Sequence, residues 1–182
     1  MSHGLEVPSH VTEPVPRILV PFARLMGGVN RVVMVAGMIA LLAAAAILTF
    51  SVLTRYFLKS ATDWQDEASV FLLVGATFLC GAYVQSYRGH IGIEALASIL
   101  PPAVNRARAF AVDVLTLSFC AFFAWKSWTL LHEAWAEGHT SSSSWAPPLA
   151  IPYGLMAAGM TLLSLQLLLQ VLTHVLRAKR HR

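Results

Sequence analysis

Charge is scarce in this sequence: Asp, Glu, Lys and Arg make up 12% of its 182 residues, about half the share of a soluble globular protein. With 57% of the chain hydrophobic, too little polar surface remains to cover a water-facing domain, so lipid is the solvent this composition needs. The two cysteines, Cys80 and Cys120, each lie inside an apolar run and read as small buried hydrophobes, not as a disulfide framework. Glycine-rich nucleotide loops and nucleophile elbows are missing. His132-Glu-Ala-Trp-Ala lacks the second histidine of a zinc-protease helix, and the seven histidines show no metal-ligand grouping. Haem would need histidines deep in a bundle, whereas only His174 falls within an apolar run, at its end. The sequence therefore predicts no enzyme, no cofactor and no metal. Nor does the net charge of +4 indicate nucleic acid. The basic residues flank apolar runs, with one tight group at Arg177, Lys179, Arg180 and Arg182, as membrane-flanking charge does.

What is present is four long apolar runs. A helix needs about 20 mostly apolar residues to cross the hydrocarbon core, and spans are predicted over about 32–54, 66–87, 109–131 and 149–175. Some thirty mostly polar residues precede the first run, which is long and has no clear cleavage site, so it is expected to stay in the membrane and not to be removed as a signal peptide. Ten of the thirteen Lys and Arg residues fall on one side: Arg17, Arg24, Arg31, Arg88, Arg106, Arg108 and the C-terminal four. That side is predicted to be cytoplasmic, because translocated segments lose such residues. Trp64, Trp125, Trp128, Trp135 and Trp145 all map to the other side, as an interfacial aromatic belt would. The expected fold is thus all-α: four transmembrane helices with both termini cytoplasmic, a cytoplasmic segment over residues 1–30 and a basic tail over 177–182. Between the second and third spans, Ile91, Ile93, Leu96, Ile99 and Leu100 alternate with small or polar residues, which suits a short interfacial amphipathic helix ended by Pro101 and Pro102, with Asn105 placed to cap the third span.

Small residues mark where helices can approach closely in lipid. Ala36, Ala40 and Ala44 form one such stripe, and Ala76 with Cys80 and Gly154 with Ala158 repeat the spacing. Ordinary packing among the four helices accounts for them, and a docking face is the alternative. Asp63 can cap the second helix, with Asp66 and Glu67 in its first turn where carboxylates favour the exposed amides. A well-capped helix start is the plain reading, and Arg55 is placed to pair with Glu67. The stretch Gly138-His-Thr-Ser-Ser-Ser-Ser-Trp145 reads as flexible and solvated, with contact to an external partner as the alternative. Apart from Asp66 and Glu67 at the start of the second, Asp113 and Lys126 are the only charged residues within spans. Both lie towards helix ends where snorkelling or an ion pair relieves them, and Asp113, paired with Arg88 or Arg106, is the stronger functional candidate. A self-contained proton-driven exporter would be expected to carry an ionisable group near the midplane, at about 3 kcal/mol; the first span has none.

Arg55, Trp64-Gln-Asp-Glu67, Gly75-Ala76, Arg88-Gly-His90-Ile-Gly-Ile-Glu94, Leu100-Pro101, Trp145-Ala-Pro-Pro-Leu-Ala-Ile-Pro-Tyr and Leu165-Gln166 stand in the order seen in one family. From about Arg31 to Leu172 the chain resembles the small, DctQ-like membrane subunit of a tripartite ATP-independent periplasmic (TRAP) transporter of the bacterial inner membrane. The resemblance implies a non-catalytic partner of a large, DctM-like membrane subunit that carries organic acids inward with sodium after a periplasmic binding protein delivers them. It places Trp64 and Glu67 outside, and Arg88, His90 and Glu94 inside, as residues fixing helix hairpins or the subunit contact. A small channel or exporter built as a homo-oligomer is the rival expectation, and a membrane-bound enzyme or electron-transfer anchor a third.

Overall fold

The computed structural model describes residues 19–59, 63–87 and 101–180. Four helices account for nearly all of them: α1 over Val20–Leu58, α2 over Asp63–Ser86, α3 over Pro102–Ala136 and α4 over Ala150–Arg180. Each contains a stretch long and apolar enough to cross a membrane, and an even number of crossings puts the two termini at one end of the molecule. The opposite end, here the loop end, holds the α1–α2 connection and the α3–α4 loop. The interfacial helix expected before Pro101 lies outside the described residues.

The helices outrun the apolar runs that betray them. α1 begins at Val20, not near residue 32, because Arg24 and Arg31 interrupt the hydropathy without interrupting the backbone. At 39 residues it is roughly 58 Å long, well beyond a ~30 Å hydrocarbon core. Lys59, in a left-handed conformation, ends it. α3 starts on Pro102, whose missing N–H costs nothing in a first turn. Asn105 is therefore already inside the helix, and its Oδ1 accepts from Arg108 Nε and Nη2 (3.2 and 3.0 Å) instead of capping. The far end of α3 closes as a Schellman turn: Gly138 takes φ +65° and the His139 N–H reaches the Ala134 carbonyl at 2.9 Å.

The four helices pack mainly as a row in the order α1, α2, α4, α3, with α1 also touching α4 where Asn30 meets Gln166. α4 is the central member, with 39% of its apolar stretch buried against 11% for α1. Sequence neighbours α2 and α3 meet mainly through α4, apart from the Phe78 and Phe123 rings stacked 6.5 Å apart. The core sits where α4 receives its neighbours: Cys120, Ala124, Met160 and Leu167, flanked by Phe78, Leu117, Phe123 and Leu163.

Close approach is set by glycine at two seams. A Cβ on Gly159 would fall on the Phe78 carbonyl group of α2 and 2.8 Å from the Phe78 Cβ. One on Gly37 would fall on Cys80 Sγ, with Ala76 Cα at 3.8 Å. The pair Ala76 and Cys80 is thus a real contact surface, but the α1 stripe expected at Ala36, Ala40 and Ala44 is corrected. Ala36 is exposed, and the buried line runs through Asn30, Gly37, Ala44 and Ser51. That spacing is seven residues, with Val33, Ala40, Ile47 and Thr54 half-buried beside it. A seven-residue repeat keeps one seam against a partner along a left-handed crossing, as in a coiled coil.

Candidate functional site

Polar residues cluster at both ends of the layer, and at each end they tie helices together. At the loop end, Ser51 and Arg55, one turn apart on α1, converge on Asp66 in the first turn of α2: Ser51 Oγ donates to Oδ1 at 3.3 Å and Arg55 Nη2 to Oδ2 at 2.9 Å. The acidic partner of Arg55 in this ion pair is Asp66 and not the expected Glu67. Adjacent helix positions point about 100° apart, so only one of the two carboxylates can face α1 directly. With side chains 62% and 50% exposed, the pair is worth less than about 1 kcal/mol. Arg55→Ala should accordingly shift thermal unfolding in detergent only slightly.

Glu67 turns instead to the α3–α4 loop, where its Oε1 accepts from Ser141 Oγ. Its Oε2 is buried, with no hydrogen-bond partner among the described residues. The loop itself is not the loose stretch its serines suggested. Thr140 and Pro148 form an antiparallel bridge. Ser141 N–H donates to Pro147 O at 3.0 Å and Leu149 N–H to His139 O at 2.9 Å, while Ala146 N–H closes a turn on Ser143 O at 3.1 Å. The three prolines after Trp145 restrict the backbone into the start of α4, where Pro152 occupies the first turn. Glu67→Gln keeps the acceptor and removes a half-buried charge, so stability should hold or rise. Glu67→Ala should free the loop, seen as faster amide exchange over residues 139–147. Equal damage from both would show that the charge itself is required. Trp64 stands exposed beside these residues, and Gln65 is buried, its backbone carbonyl accepting from Ser69 Oγ at 2.8 Å.

At the end that holds the termini, α4 carries Gln166, Gln170 and His174 at four-residue intervals, hence on one side of the helix. Each rung holds a different neighbour. Asn30 of α1 donates through Nδ2 to Gln166 Oε1 at 3.1 Å. Gln85 of α2 donates through Nε2 to Gln170 Oε1 at 2.8 Å, and Gln170 Nε2 returns a bond to the Gln85 carbonyl at 2.9 Å. Asp113 of α3, only 7% exposed, places Oδ2 3.6 Å from His174 Nδ1. Asp113 thus faces α4, with His174 across from it; of the partners expected for it, Arg88 and the Arg106 side chain lie outside what the structure describes. A scan for charge overlooked this ladder because glutamine and asparagine carry none, although the 166, 170, 174 spacing was a readable signal. Nearer the loop end, Trp128 Nε1 donates to Thr161 Oγ1 at 3.0 Å.

Of the candidate residues, Arg55, Trp64 and Glu67 gather at the loop end and Asp113 lies towards the other, while Arg88, His90 and Glu94 fall outside the described residues. Among the described residues no three His, Cys, Asp or Glu side chains converge as metal ligands do. The arrangement orients helices and a loop.

The profile of one family, described as tripartite ATP-independent periplasmic transporters, DctQ component, matches residues 44–177. That range takes in α2, α3, nearly all of α4 and the polar ties at the loop end. A Haemophilus influenzae protein described as a TRAP transporter small permease protein is 25% identical over 118 residues, covering 64% of this chain and 69% of its own length. This four-helix membrane protein belongs to the DctQ-component family of tripartite ATP-independent periplasmic transporters.

Proposed function

We propose that the chain is the non-catalytic small subunit of a sodium-coupled TRAP transporter for organic acids, bracing the large membrane subunit and helping the periplasmic binding protein to dock. One observation carries this reading: beyond the α1–α2, α2–α4 and α4–α3 seams the helices leave broad apolar faces uncovered, α1 most of all, with 11% of its apolar stretch buried. Faces of this kind are suited to lie against a larger membrane partner. The tied loop and Trp64 form the surface offered to the binding protein. Arg88, His90 and Glu94 serve the opposite end, fixing the α2–α3 hairpin or the subunit contact. The location is the bacterial inner membrane with both termini cytoplasmic, a reading supported by the ten Lys and Arg residues on that side.

The test is uptake of radiolabelled organic acids into proteoliposomes containing this chain, a large TRAP membrane subunit from the same organism and the binding protein, with each omitted in turn. Sodium-driven uptake that disappears without this chain, while this chain alone transports nothing, is the expected result. Transport by this chain alone would instead favour a homo-oligomeric channel, and undiminished uptake without it would end the accessory role.

A further inference from the structure

The outward face of α3 differs from that of α1 in one respect that lipid cannot satisfy. From Val32 to Leu53, α1 exposes aliphatic and aromatic side chains and no charge, a surface that hydrocarbon solvates well. The exposed face of α3 presents Leu115, Phe119, Phe122 and Trp125, which are 70%, 65%, 55% and 64% exposed. Set among them is Lys126, also exposed. Its Nζ lies 5.0 Å from the centroid of the Trp125 ring, and among the described residues no carboxylate stands within ion-pair distance of it.

Lys126 is deep. It lies about five residues, roughly 7 Å along the axis, from the midpoint of the apolar stretch Ala107–Ala136. The nearer membrane surface is at the loop end, yet Cα–Cβ bonds tilt towards the helix N-terminus, which for α3 is the opposite end. Snorkelling to a lipid phosphate would run against that tilt. An ammonium held at this depth calls for an anion at the same depth, because unpaired charge in hydrocarbon is costly. The large aromatics around it resemble the centre of a protein interface more than an interfacial belt, since Phe119 and Phe122 lie deeper than Lys126 itself.

Resting on the subunit reading above, we propose that the Leu115–Lys126 face of α3 docks a membrane-spanning helix of the large subunit that presents an Asp or Glu carboxylate to Lys126. Phe119, Phe122 and Trp125 supply the packing around the ion pair.

The test uses the full chain co-expressed with the large subunit. A photoreactive benzoylphenylalanine replaces Phe122 in one variant and Leu42 of α1 in another. Irradiation is expected to join position 122 to the large subunit. Lys126→Glu should lower the large subunit recovered with the chain about tenfold, and changing one intramembrane Asp or Glu of the large subunit to Lys should restore it. Lys126→Met, which leaves the helix apolar, should insert normally and still weaken recovery. Adducts from position 122 only to lipid or to a second copy of this chain, or unchanged recovery with Lys126→Glu, would overturn the proposal. If wild-type chain retains the large subunit and position 42 alone crosslinks to it, only this face is wrong. If wild-type chain retains none, the subunit reading itself falls.

Discussion

Gly159→Ala should separate α2 from α4 and cost about 2 kcal/mol of stability. The added methyl meets the Phe78 carbonyl group and Cβ of α2, and neither backbone group can swing aside as a side-chain tip would. Overpacking of this kind costs about 1–3 kcal/mol, and obstruction by backbone puts it at the upper end. Alanine's better helix propensity returns up to about 1 kcal/mol, which leaves the net loss. Gly28→Ala is the control, because nothing lies within 4 Å of its added methyl; it should be neutral or slightly stabilising. Gly37→Ala belongs between them, since the atom it meets is Cys80 Sγ, the end of a side chain. Unfolding in mixed detergent, followed by the fluorescence of the five tryptophans, reads all three. Equal midpoints for Gly159→Ala and Gly28→Ala would mean that α2 and α4 do not approach as closely as described.

Asp113→Leu should cost about 3 kcal/mol, the second large effect. Asp113 is buried against α4 within the apolar stretch of α3, and removing one member of a polar pair in such a setting takes a compensating partner from the other. Replacing both, Asp113→Leu with His174→Leu, should recover much of the loss, because an apolar pair of similar volume needs no partner. The double-mutant cycle in the same detergent assay therefore carries a coupling of more than about 1 kcal/mol, above the average of ~0.6 kcal/mol found between helices in lipid. Additive single effects would show that the 3.6 Å approach does not contribute to stability.

The number of spans was legible in the sequence because each is a run of apolar residues that no soluble protein tolerates. Their ends were not. Hydropathy stops at Arg31, whereas the helix continues back to Val20, since a charged residue outside the hydrocarbon is no obstacle to helical hydrogen bonding. Helix phase was the other blind spot. Asp66 and Glu67 are equivalent as first-turn carboxylates, yet one faces Arg55 and Ser51 and the other faces the loop. Ala36, Ala40 and Ala44 are as small as any interface requires, but only Ala44 lies on the line that α2 covers. The polar ties between helices were missed for a related reason. Asn30, Gln85 and Gln166 are buried and hydrogen-bonded across helices, and neutral amides leave no mark in a count of charges. The order of helices in the layer was also out of reach, because nothing in a sequence of four alternating spans tells a closed bundle from a row.

That row has a consequence for how the molecule comes apart. Three helix pairs, α1 with α2, α2 with α4 and α4 with α3, carry most of the packing, so total stability is close to a sum of three local interfaces, as in a linear repeat protein. Cooperativity should be correspondingly low. A weakness introduced at Gly37 reaches α4 directly only through the Asn30–Gln166 bond, and α1 should peel away while the other three helices stay together. Fraying from the flanks inward, with the α2–α4 seam the last to open, is the order in which amide protection should disappear.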